Sequence, residues 1–214
     1  MRGDGMLELA DSFYDEHPNL KWILPHAPIL PITINRGKNG NARWYDRITL
    51  DPELILDPEY HDEEGLHSIV QTIDEIIQAE VDSGIPEKKI LVGGISQGGS
   101  VALLLGLTTE RKLGGLIGLS TWIPFGRNVE MIMTRQAKEI PIFLAHGKED
   151  PLVVYSIAES SLSLLTKSGF QQLDSTITFV RPGILFKGYS PLTHWFGDEE
   201  IDDLSEWVGE VLKD

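Results

Sequence analysis

Cysteine is absent from this 214-residue chain. Disulfides, thiolate zinc sites and a cysteine nucleophile are therefore excluded together. Long apolar runs are scarce as well. The longest, VALLLGL at 101–107, is far short of the roughly 20 residues that span a bilayer. The opening stretch, MRGDGMLELADSFYDEH, holds no apolar core of the kind a secretory leader needs. Basic residues are few: 18 Lys and Arg stand against 33 Asp and Glu, a formal net charge of −15. A field of that sign repels phosphate backbones and anionic lipid surfaces, so neither nucleic acid nor integral membrane association is expected. These gaps point to a cytoplasmic protein. A share of 41% hydrophobic against 24% charged residues suits an ordinary globular core and surface. The length suits a single domain over residues 1–214, with one sizeable core.

What is present is an alternation of apolar strands and helical stripes. KWILP (21–25) is a short strand candidate. From Gly65, the residues Leu66, Ile69, Val70, Ile73, Ile76 and Ile77 recur at spacings of three and four, which predicts a helix ending near Gly84. KKILVGG (88–94), LGGLIGLS (113–120) and IPIFLAHG (140–147) read as strands buried on both faces. GGSVALLLGLTT (98–109) reads as a buried helix, and YSIAESSLSLLTKSG (155–169) as a helix stopped by Gly169. STITFVRP (175–182) alternates like a strand. DEEIDDLSEWVGEVL (198–212) is an amphipathic helix with acids at its start, where the macrodipole favours them. Strand and helix in alternation predict a parallel sheet with flanking helices. The segment from Pro25 to Pro58 has no periodicity and is rich in Pro, Gly and Asn; it reads as a long surface excursion, and such loops are often functional.

One junction carries chemistry. In KKILVGGISQGGSVALLLGL, Gly94-x-Ser96-x-Gly98 lies between a strand and a helix. A serine there is either a chance residue in a glycine-rich turn or a nucleophile on a sharp elbow. The elbow forces close backbone approach, so side chains at both flanking glycines are expected to collide with the adjacent strand and helix. Such a serine needs a base, and the base needs an orienter. In folds of this kind the order is Ser, then Asp or Glu, then His. Asp150, with the adjacent Glu149 as its rival for the orienting role, follows the strand at 140–147, and His194 is the only histidine after it. His17, His26, His61, His67 and His146 all precede Asp150 and fit that order poorly. Trp44, in the excursion, and Trp122, in STWIPF, are candidates to line an apolar substrate channel.

Several blocks together resemble the acyl-protein thioesterases and the related small carboxylesterases and lysophospholipases, which are α/β-hydrolases. They are PHAPILPIT (25–33), WYD (44–46), SGIPEKKILVGGISQGGSVAL (83–103), LTTERKLGGLIGLSTWIP (107–124), HGKEDPLV (146–153) and FKGYSPLTH (186–194). The resemblance implies an α/β-hydrolase fold, a mostly parallel central sheet with helices on both faces. It implies a serine hydrolase that cleaves carboxylic esters or thioesters through an acyl-enzyme, with Ser96 as nucleophile, His194 as general base and Asp150 as orienter. The backbone N–H groups of Gln97 and Arg2 take the oxyanion positions. No metal or organic cofactor is implied. The substrates implied belong to lipid metabolism: S-acylated proteins, lysophospholipids or shorter esters. Three departures accompany the resemblance. MRGDG begins inside the family's His-Gly-x-Gly-Asp loop, so the strand before it is missing and the chain reads as N-terminally truncated. VRPGIL (180–185) reads as an insertion, and Pro191 stands where glycine is usual. The alternative reading is a low-activity pseudoenzyme that binds an acyl ligand or a protein partner. Apolar surface uncovered by the missing strand leaves a homodimer open.

Overall fold

The computed structural model describes residues 3–30, 33, 41–49, 51–174 and 182–213. After a short 3-10 turn, α1 spans Leu7–Ser12, and a minimal antiparallel pair follows, β1 at Ile29–Leu30 and β2 at Asn41–Ala42. Helix α2 spans Glu63–Asp82. It starts where Asp62 accepts the Gly65 N–H at 2.9 Å, a side-chain cap for an otherwise unpaired amide. It ends before Gly84, whose φ of +104° only glycine adopts without strain.

The strands then come in order. They are β3 (Leu91–Ile95), β4 (Gly115–Leu119), β5 (Pro141–Gly147) and β6 (Gly183–Tyr189). All neighbours are parallel, and spatial order follows chain order. The helices between them are α3 (Gln97–Thr108), the single turn α4 (Val129–Ile132) and α5 (Tyr155–Lys167), and α6 (Asp198–Leu212) closes the chain. Strand periodicity divides the core in two. Ile142, Leu144 and Ile184 face α3 and α5 with Leu103, Leu105, Leu162 and Leu165. Phe143, Ala145 and Leu185 face α1 and α6 with Phe13, Leu204 and Trp207. Helix α3 lies so close to β4 that a Cβ at Gly106 would stand 2.0 Å from Leu116 Cδ1. Among the described residues β3 pairs only with β4, so the strand leading to Ser96 is an edge of the sheet.

Several expectations change. KWILP is not a strand: residues 21–25 pair with nothing among the described residues. Its Trp22 instead meets Phe13 edge-on, at 5.4 Å, so side-chain packing fixes the segment rather than a ladder. The strand placed at 175–182 lies mostly outside the described residues. The last strand among the described residues is Gly183–Tyr189, so the second half of VRPGIL is part of the sheet. Gly183 opens it at φ +135°, with its missing Cβ 2.7 Å from Gln171 O. The excursion is not all surface either. Tyr45 and Ile55 are buried in a third cluster with Leu66, Val101, Leu104 and Trp122. No helix among the described residues is long and apolar enough to cross a membrane.

One buried group makes stability depend on pH. Glu200, in the first turn of α6, is 1% exposed, and neither carboxyl oxygen finds a hydrogen-bond partner among the described residues. Burial pushes its carboxyl up to about 8; the Gly197 N–H pulls the other way without bonding either oxygen. The folded chain therefore keeps a proton that the unfolded chain releases near 4.5. Stability from this site is full below that value and falls toward pH 8 by about 1.4 kcal/mol per unit. Glu200→Gln should raise the melting temperature more at pH 8.5 than at pH 5. Equal shifts at the two pH values would refute the protonated carboxyl.

Candidate active site

Ser96 stands between β3 and α3 with φ 55° and ψ −124°. A side chain in that region costs of order 1–3 kcal/mol and persists only where its surroundings fix it. They do so here. The Ser96 N–H donates to Leu119 O at 2.8 Å. Its carbonyl accepts from the Ser100 N–H at 3.0 Å and from Thr121 Oγ1 at 2.6 Å. The glycines do not share the work as expected. A Cβ at Gly94 would lie 2.5 Å from Gly98 C and 2.8 Å from Gly99 N. At Gly99 it would lie 2.7 Å from Gly94 O and 2.9 Å from Thr121 Cβ. At Gly98, the motif's second glycine, the nearest atom would be Trp44 Nε1 at 3.4 Å, an ordinary contact. The tight crossing is Gly94 on Gly99, so the expected collision at Gly98 does not occur.

Gln97 is the first residue of α3, and its N–H is among those that no intrahelical carbonyl accepts. That amide and the helix dipole favour negative charge beside Ser96. Its side chain is a clamp. Oε1 accepts the Trp44 N–H at 3.1 Å and Nε2 donates to Tyr45 O at 2.8 Å. The excursion is thereby pinned against the elbow. Arg2, expected as the second oxyanion donor, lies outside the described residues.

Asp150 and His194 come together from the turns after β5 and β6. His194 Nδ1 is 2.7 Å from Asp150 Oδ2. Asp150 is buried, and its other oxygen accepts the Leu152 and Val153 N–H groups at 2.8 and 3.0 Å. Its neighbour Glu149 is turned to other work: it accepts from Ser190 Oγ at 2.8 Å and Leu192 N–H at 3.0 Å, bracing the turn that carries His194. The Ser96 hydroxyl makes no hydrogen bond among the described residues, to His194 or to any other group.

His146 is the residue that chain order dismissed. It is 1% exposed, with Nε2 2.7 Å from Val153 O and 3.3 Å from Asp150 Oδ2. Burial holds it below the usual histidine range, against the opposing pull of Val153 O and Asp150, so it packs as a neutral ring behind the carboxylate. Its spacing of four residues from Asp150 across a turn was the available clue. The other histidines are engaged elsewhere: His17 bonds Ser205, His26 accepts the Gly3 N–H, His61 links Ile55 O to the Phe125 N–H, and His67 lies 3.8 Å from Glu63 on the exposed face of α2. Trp44 is half-buried above α3, whereas Trp122 is 3% exposed and belongs to the core. The cavity that Trp122 lines with Thr121, His146 and Ser161 measures about 10 Å³, room for one water and not for an acyl chain. No three His, Asp or Glu side chains converge as metal ligands among the described residues.

Comparisons with known proteins agree in kind. Residues 2–181 match the family described as Phospholipase/Carboxylesterase. Acyl-protein thioesterase 1 of Cryptococcus neoformans is 43% identical over 212 residues, 99% of this chain and 88% of that protein. Arabidopsis thaliana SOBER1 superposes with a TM-score of 0.83 at 27% identity, covering 100% of this chain and 94% of that one. Zea mays acyl-protein thioesterase 2 gives a TM-score of 0.72 at 26% identity, covering 94% and 88%.

The crossing geometry makes a contrast that motif spacing does not. Gly94→Ala should destabilise the protein by roughly 1–3 kcal/mol or more in urea unfolding. Gly98→Ala should stay within about 1 kcal/mol, since a helix interior favours alanine over glycine. Equal losses at the two positions would show that the crossing is elsewhere.

Proposed function

Because this chain belongs to the phospholipase/carboxylesterase family and is an ester or thioester hydrolase, we propose that Ser96, His194 and Asp150 carry its reaction. The observation that supports this reading most strongly is the 2.7 Å contact between His194 Nδ1 and Asp150 Oδ2. A carboxylate there holds the Nδ1–H tautomer and leaves Nε2 free to accept a proton. Three donors reach this one carboxylate, two backbone N–H groups and the His194 imidazole, so its orientation is set before substrate arrives. Ser96, held at the start of α3 by the strained elbow, is the hydroxyl that the chain order pairs with this base. Its hydrogen bond to His194 forms as substrate closes the site, a tightening common in enzymes crystallised or described without ligand.

The reaction runs in two halves. His194 takes the Ser96 proton as Oγ attacks the carbonyl carbon. The oxyanion develops against the Gln97 N–H and the first turn of α3, where one such donor is worth about 3–4 kcal/mol. The alcohol or thiol leaves with the proton from His194. Water, activated by the same imidazole, then attacks the acyl-enzyme and releases the acid. Thioester and oxygen ester both fit this scheme. S-acylated protein, lysophospholipid and shorter esters are the substrates we assign on the strength of the relatives. Those relatives are named hydrolases, and no observation favours a binding-only pseudoenzyme.

A fluorophosphonate probe should label the protein stoichiometrically, and Ser96→Ala should abolish labelling with the melting temperature retained. Asp150→Asn should lower turnover of a p-nitrophenyl ester by roughly four orders of magnitude, and His194→Ala at least as far. Labelling that survives in Ser96→Ala, or an unaffected rate in His194→Ala, would sink the assignment.

A further inference from the structure

Two arginines beside the elbow have no counter-ion among the described residues. Arg43 and Arg47 flank the stretch that Gln97 clamps, since Trp44 N–H and Tyr45 O are its two partners. Both are half-buried, and the Nε atom of each is buried with no hydrogen-bond partner. Arg47 places its guanidinium over Trp122, 5.8 Å from the ring centroid. The residue before Trp122, Thr121, bonds the Ser96 carbonyl at 2.6 Å. Arg47 therefore lies against the residue next to one of the supports of Ser96, and Arg43 flanks the same clamped stretch.

Nearby acids do not neutralise them. Asp46 is taken up by Thr33, and Asp62 by the Gly65 and Asp46 N–H groups. Arg111 and Arg127, by contrast, are matched to Asp74, Glu87 and Asp57. Burial pushes Arg47 down from the usual guanidinium range, and the charge on Arg43 adds to the effect. Two like charges, part-buried, adjacent and unpaired, are an unfavourable arrangement in a free protein. In a chain of net charge −15, carboxylates to quench them were plentiful. Their place by the elbow is explained if an external oxyanion completes them, because the guanidinium fork matches carboxylate and phosphate oxygens.

We propose that Arg43 and Arg47 form a subsite for a carboxylate or phosphate borne by the ester substrate. This rests on the proposed hydrolase site and names the substrate class it selects: acyl esters carrying a negative charge, over neutral esters of the same length. The anion lies either at the far end of the acyl chain or on the leaving group, and paired probes separate the two.

The test compares kcat/KM for mono-p-nitrophenyl adipate against p-nitrophenyl hexanoate, and for 1-oleoyl lysophosphatidate against 1-monooleoylglycerol. The wild type should prefer the charged member of at least one pair by roughly tenfold or more. That ratio should fall toward unity in Arg43→Gln/Arg47→Gln. Arg47→Lys, which keeps the charge and the packing stem but loses the fork, should fall between. The same comparison by equilibrium binding of the intact esters to Ser96→Ala protein, with and without Arg47→Lys, reads the subsite without turnover. Wild type that hydrolyses no ester would refute the proposed reaction while leaving this binding test in force. A wild-type ratio at or below unity in both pairs, with equal binding of charged and neutral esters, would overturn the subsite. So would a ratio that the arginine variants leave unchanged.

Discussion

The close passage of Gly94 over Gly99 governs the rest of this molecule. With 2.7 Å between a Cβ built on Gly99 and the Gly94 carbonyl, no larger residue at 99 lets α3 start so near the end of β3. The short gap between strand and helix forces Ser96 into positive φ. It also leaves Ser96 at the N-terminus of α3, beside the helix's first amides. The neighbouring strand reinforces the turn. Leu119 O receives the Ser96 N–H, and Thr121, past the left-handed Ser120, caps the Ser96 carbonyl. The strain is local, and the parallel sheet behind it supplies the rigidity that keeps it in place.

A second cluster, at the ends of β5 and β6, is built on different physics. Here a buried carboxylate is made tolerable by donors rather than by packing. Asp150 takes two backbone N–H groups from its own turn, which fix one oxygen, and turns the other to His194, with the neutral His146 packed behind it. His194 rides on a turn that Glu149 braces from the outside. The two adjacent acids thus divide the labour: the buried one orients an imidazole, and the exposed one secures the loop that brings the imidazole within reach. Register between β5 and β6, running from Pro141↔Gly183 to Gly147↔Tyr189, is what sets both turns at the same height.

Charge is distributed with the same economy. The sequence is strongly acidic, yet among the described residues near the elbow the unpaired charge held partly out of water is basic, at Arg43 and Arg47. Gln97 links that segment to the start of α3, so Ser96, the Gln97 amide and the cationic pair belong to one connected unit.

The linear order of residues determined the class of fold and singled out the candidate reacting groups. Strands of uniform apolarity at 88–94, 113–120 and 140–147, with helical stripes between them, follow from local periodicity, and local periodicity needs no partner to be read. The junction at Ser96 and the order Ser96, Asp150, His194 were legible for the same reason. Whatever depends on a distant partner was not. KWILP has a strand's composition but no ladder to join, while Gly183–Tyr189 becomes a strand because β5 offers it an edge. Gly94 and Gly98 look equivalent in the motif, and only the crossing with α3 makes one indispensable and leaves the other in open contact with Trp44. His146 was set aside by its position in the chain and brought back by its position in space. Periodicity is a property of neighbours in sequence, whereas pairing, collision and desolvation belong to neighbours in space, and folding alone chooses those.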